Sequence, residues 1–233
     1  MRLVHRALLP VLPALLLLAA QPATAQTANI RVAGRVQTQF ATISGDSSSN
    51  FNPGAVVASG FEVRRLRIQA DVRIGENINL VIQPSFEMGS LRMRDAYLRV
   101  VMARNATSGI GLTVGQEKKP FNRMELTSSN NLLSIERGAR LRGVSGAAAQ
   151  NNLLESEGLI AHDLGASLDG YAFANRLALK VGVYNGSGES AADVNNAKSV
   201  AARATATVLA DAEQRPNLRI GASVMSRDRA ITT

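Results

Sequence analysis

The 233-residue chain contains no cysteine and no tryptophan. The first absence excludes a disulfide framework and a thiolate metal site. Aromatic residues make up only 4% of the sequence, thin for the girdles that flank a membrane wall. Histidine is nearly absent: His5 lies between Arg2 and Arg6 near the N-terminus, and His162 stands beside Asp163. Neighbouring residues of a strand point to opposite faces, so His162 and Asp163 do not make half of a catalytic triad. There is no G-x-S-x-G and no H-E-x-x-H. Glu155 and Glu157 bound a loop without a pocket partner, and Gly186 and Gly188 suit a loop tip better than a phosphate cradle. No spacing supports metal ligation. The expectation is a protein that is not an enzyme and needs no cofactor. After the first segment, no apolar run approaches the roughly 18 residues of a spanning helix.

What is present begins at the N-terminus. Arg2 and Arg6 precede an apolar core from Ala7 to Ala20, and Ala23-Thr24-Ala25 is an A-x-A cleavage site. Pro10 and Pro13 interrupt the core, so residues 1–25 read as a secretory signal peptide rather than an anchor. The formal charge is +8, and losing Arg2 and Arg6 with no acidic residue leaves +6. Export makes nucleic acid a poor partner for this charge. An anionic surface or a small anionic solute remains.

The exported part alternates. In Phe61 to Ile74, Leu66, Ile68, Ala70, Val72 and Ile74 form one row, and Arg65, Arg67, Gln69, Asp71 and Arg73 the other. That period of two is a strand with one apolar and one polar face. Similar runs occur at Asn29–Thr42, Asn77–Met88, Leu91–Met102, Ile110–Glu117, Gly158–Ala166, Arg176–Tyr184, Ser199–Leu209 and Leu218–Val224. Pro84 cannot donate to a ladder, so a bulge or strand end is expected there. Periodicity vanishes from Lys118 to Ser156, and a connection this long is usually functional or disordered. About nine strands result, many longer than the roughly 5 or 6 residues of ordinary strands and matching the roughly 9 to 11 of a transmembrane strand. The fold expected is all-β, a transmembrane antiparallel β-barrel occupying residues 26–233.

Opposite the apolar rows fall Arg31, Arg35, Arg65, Arg67, Arg73, Arg99, Arg176, Lys180, Arg203 and Arg219. If the apolar rows face lipid, these cations line a lumen, where rings of Arg and Lys select anions. The long connection adds Lys118, Lys119, Arg123, Arg137, Arg140 and Arg142. One rival reading is a secreted β-sandwich or solenoid using its basic face on anionic glycans. Another is a small-barrel outer-membrane lipase or protease, for which no nucleophile–base pair is present.

The runs FEVRRLRIQADVRIGENINLVIQPSFE, LRMRDAYLRV and GLTVGQEKKPFNRMELTSSNNLLSIERG resemble the phosphate-selective porin O/P family of Gram-negative outer membranes. YAFANRLALKVGVYNGSGES resembles that family's following hairpin. The resemblance implies sixteen-stranded homotrimeric barrels in outer-membrane lipid that pass small, phosphate-like anions. It also implies a third outer loop folded into the lumen, with Lys118, Lys119 and Arg123 at its start. The family's phosphate-specific lysine set has no residue-by-residue counterpart here. Nine strands and a non-aromatic end, Arg229-Ala230-Ile231-Thr232-Thr233, lead to the further expectation of an N-terminal portion of a longer barrel.

Overall fold

The computed structural model describes residues 28–41, 60–87, 90–129, 131, 154, 157–159, 161–193, 196–211 and 215–227. The signal-peptide reading therefore lies outside the described residues. Among the described residues, nine strands follow one another: β1 (Ala28–Ala41), β2 (Gly60–Ile74), β3 (Ile78–Glu87), β4 (Ser90–Arg104), β5 (Gly109–Lys118), β6 (His162–Ala172), β7 (Leu177–Tyr184), β8 (Ser199–Ala210) and β9 (Pro216–Arg227). A single helical turn, α1 (Arg123–Leu126), follows β5. Each strand pairs antiparallel with the next in the order β1 to β9, and among the described residues the sheet is not closed. The all-β antiparallel expectation holds. Among the described residues, no helix is long and apolar enough to cross a membrane.

The connections 75–77, 105–108, 173–176 and 211–215 lie at one end of the strands, and 119–161 and 185–198 lie at the other. The register aligns side chains in rows. One runs Ile30, Val72, Leu80, Leu98, Val114, Ala166, Val183 and Val200 across eight strands without a charged residue. The adjacent row on the other face runs Arg31, Asp71, Val81, Tyr97, Gly115, Gly165, Tyr184, Ser199 and Arg227.

Exposure separates the faces. Val36 and Val224 on the apolar face are 66% and 67% exposed, whereas Ser85, Thr113, Ser167 and Ser199 on the polar face are at most 2% exposed. A flat sheet would open both faces equally, so this one curls with its polar face inside. The buried hydrophobic residues, Val81, Tyr184 and Ala201, all sit in polar-face rows. A sandwich would bury the apolar faces of two sheets against each other. Here the apolar face is the exposed one, the arrangement a lipid-facing barrel wall requires.

The register also shifts between Val101 and Ala103 and in β8–β9 near Leu209, but three other departures from simple alternation shape the polar face. The β1–β2 register shifts between Gln37 and Thr38, leaving Arg64 as an extra residue, so Phe61 and Val63 return to the apolar face. The β3–β4 register shifts at Gln83/Pro84, as Pro84 leads one to expect, leaving Arg94 extra. β6 begins at His162 instead of Gly158 and runs on to Ala172. Ala161, at φ 80°, breaks the chain before it, and Ser167, Asp169 and Tyr171 continue the polar row past the expected end.

Candidate functional site

The curled face is crowded with charge, and most of it is paired. Arg67 donates from Nε to Glu87 Oε1 at 3.0 Å and to Ser85 Oγ at 3.2 Å, and its Nη2 also meets Glu87. Arg94, the bulged residue, bridges Glu87 and Glu189, the latter at 3.1 Å. Arg99 forks onto Asp169, with Nε to Oδ1 at 3.0 Å and Nη2 to Oδ2 at 2.6 Å. Lys180 pairs with Glu117, which also accepts from Ser167 and from the Tyr184 hydroxyl at 3.1 Å. Arg65 is buried and donates to Gln37 Oε1 at 3.0 Å.

Glycine makes room for the large members of this face. A Cβ on Gly165 would stand 2.2 Å from the Val183 carbonyl oxygen, and one on Gly182 would stand 2.5 Å from the Tyr184 hydroxyl. Tyr184 therefore lies flat across two strands, with its hydroxyl reaching Glu117. Gly115 combines φ 129° with a backbone that leaves no room for a side chain against Tyr97, so both its conformation and its space favour glycine.

The long connection between β5 and β6 starts inward. Asn122 caps α1, its side chain accepting from the Met124 amide at 3.0 Å. Lys118 Nζ donates to the Glu125 carbonyl at 2.5 Å and lies 3.5 Å from that residue's carboxylate. Lys119 closes the base of the loop. Its amide donates to Ala161 O at 3.3 Å, and its Nζ donates to Gly158 O at 2.7 Å and faces Asp163 at 3.4 Å. Burial pulls the Lys119 ammonium below its ordinary pKa range, against the opposing effect of Asp163. Arg227 on β9 donates to the carbonyls of Glu157 and Gly186 and so ties both long connections to the wall.

Beyond α1 the segment covers a cleft of about 310 Å³ on the polar face. Leu126, Ser128 and Ser129 meet Arg35, Arg67, Gln69, Gln83, Asp95 and Lys118 around it. The positive charges of Arg123 and of Arg203 on β8 oppose each other. Neither forms an ion pair among the described residues.

The ten wall cations of the sequence analysis thus divide. Arg67, Arg99 and Lys180 are neutralised by carboxylates, and Arg65 is buried against Gln37. Arg31 and Arg73 are exposed on the polar rows, and Arg219 donates to Thr207 Oγ1 at 3.3 Å. Arg35 lines the cleft. Arg176 precedes β7 in the turn over 173–176, outside the strand expected for it, because Phe173, Ala174 and Asn175 all take positive φ. Of the loop cations, Lys118 and Lys119 hold the loop, Arg123 opposes the charge of Arg203, and Arg137, Arg140 and Arg142 lie outside the described residues.

Sequence reasoning listed cations and overlooked their partners Glu87, Glu117, Asp169 and Glu189. Asp169 lies past the strand end expected at Ala166, and the bulge hides Arg94. The signal for Asp169 was there, since Ser167, Asp169 and Tyr171 alternate with Leu168.

Comparison with known proteins adds one match. Residues 30–229 fit the family model described as Phosphate-selective porin O and P. No curated protein and no solved structure matches the chain.

Proposed function

The chain belongs to the phosphate-selective porin O and P family, and from that membership we propose that it is an outer-membrane porin giving passive, anion-selective diffusion of small solutes such as phosphate through a basic lumen. The family is one of channels rather than enzymes. The observation that carries anion preference is the Arg123–Arg203 pair. One residue comes from the segment after β5 and the other from the wall; their charges oppose each other, and neither forms an ion pair among the described residues. Cations left without carboxylate partners attract oxyanions, which a guanidinium fork binds bidentately. The paired arginines elsewhere contribute little net field, because each lies against a carboxylate. The outer membrane follows from the family and from the exposed apolar rows.

The test is electrical. The full-length protein in a planar bilayer under a potassium chloride gradient is expected to give a reversal potential of the sign for anion preference. Arg123→Glu with Arg203→Glu should move it toward cation preference. A reversal potential unchanged by the double substitution would remove this pair from the conduction path.

A further inference from the structure

We propose that the cleft beneath the infolded segment is a subsite for a small hydroxylated carboxylate, an inference that rests on the anion path above. Two opposed chemistries meet in it. On the β1–β2 side, Arg35 and Arg67 face each other across the ladder. Arg67 commits Nε and Nη2 to Ser85 and Glu87, which leaves Nη1 without a hydrogen bond among the described residues. On the β3–β4 side, Gln83 and Asp95 are cross-strand partners.

The orientation of Gln83 is fixed from a distance. Asp71 only accepts, so Gln69 must turn its amide nitrogen to it, at 3.0 Å to each oxygen. The Gln69 carbonyl then faces Gln83, whose own nitrogen donates to it. Gln83 Oε1 is thereby left as an acceptor. Asp95, which also lines the cleft, adds carboxylate acceptors beside it, with His162 Nε2 3.3 Å from Oδ1. On the loop side, the buried Ser129 hydroxyl has no hydrogen-bond partner among the described residues.

Two acceptors side by side select against a bare oxyanion, which offers mostly lone pairs, and leaving them unmatched is unfavourable. They suit a solute carrying donors. An ammonium would satisfy Asp95, but it would also stand in one cleft with Arg35, Arg67 and Lys118. Hydroxyl groups donate without adding positive charge, and a carboxylate end matches the guanidinium side. The volume is at the small end of ligand pockets and suits a compact solute.

The experiment compares D-glycerate with propionate, which share charge and carbon count and differ in two hydroxyls. Each is added to the full-length channel carrying chloride current in a bilayer. Glycerate is expected to halve the current at about tenfold lower concentration than propionate, the ratio two modest hydrogen bonds supply. Gln83→Leu should abolish that preference. Ser129→Ala, which leaves the sheet untouched, should reduce it. Both variants should keep the chloride conductance, which also reports that they have folded. Equal block by the two solutes overturns the subsite, as does a preference that survives both substitutions. A cation-preferring reversal potential for the unsubstituted channel would fail the anion path itself, whereas anion preference with equal block fails the subsite alone.

Discussion

Two stretches of the same polar face carry arginine in very different company. From β2 to β7, Arg67, Arg94, Arg99 and Lys180 each lie against Glu87, Glu189, Asp169 or Glu117. On α1 and β8, the charges of Arg123 and Arg203 oppose each other, and neither forms an ion pair among the described residues. The first stretch is scaffold. Its charges replace the apolar packing that this inside-out sheet lacks, and they hold the bulges and loop ends in register. The second is the part that can act on a passing anion. A count of positive residues would give both the same weight. What separates them is the presence of a partner, because a paired ion contributes cohesion and little net field.

The scaffold half is broken most severely at Glu117. Its carboxylate serves Lys180, Ser167 and Tyr184 on two neighbouring strands. Glu117→Ala should destabilise the protein by about 3 kcal/mol, the effect of removing one partner of a largely buried pair. Denaturant unfolding in detergent micelles, followed by the heat-sensitive shift in gel migration, would measure it.

A smaller effect is expected where the scaffold depends on space instead of charge. Gly165→Ala places a Cβ against the Val183 carbonyl oxygen, which is backbone and cannot turn aside. The expected loss is about 2 kcal/mol, within the range for overpacking, read from the same unfolding curves. Gly170→Ala on the same strand meets nothing nearer than 3.5 Å and serves as the control that should change little.

The smallest effect marks the edge of the scaffold. Arg104 and Glu76 pair at 2.9 Å at the short-turn end, where both are solvent-exposed. Arg104→Ala should alter stability by less than about 0.5 kcal/mol, as exposed pairs usually do. A loss comparable to that of Glu117→Ala would mean that exposure does not separate structural pairs from incidental ones here.

The contrast also explains what could be read from the sequence. The strands were legible because apolar residues at every second position define a face without knowledge of neighbours, as Leu66 to Ile74 shows. Pro84 signalled its bulge for a local reason, its missing amide hydrogen. The Arg64 bulge had no local signal, since it arises from how β1 meets β2, and the period-2 reading passed over it. The division of the arginines was also invisible. Asp169 lies 70 residues from Arg99 in sequence, and only the β4–β5–β6 register brings the two together. Spacing shows which face a side chain takes, but its partner is decided by which strand pairs next. Lys118 and Lys119 make the same point: the basic character assigned to the loop was present, yet both lysines hold the loop in place.

The central claim is that unpaired arginines, and not the total number on the polar face, set selectivity. Reversal potential under a potassium chloride gradient tests it with two variants that each remove one wall arginine. Arg99→Gln with Asp169→Asn deletes a neutral pair, and Arg203→Gln deletes an unpaired charge. The account predicts that the first keeps the anion preference of the unsubstituted channel while the second moves the reversal potential toward zero. Equal shifts in the two variants, or a shift in the first alone, would contradict it.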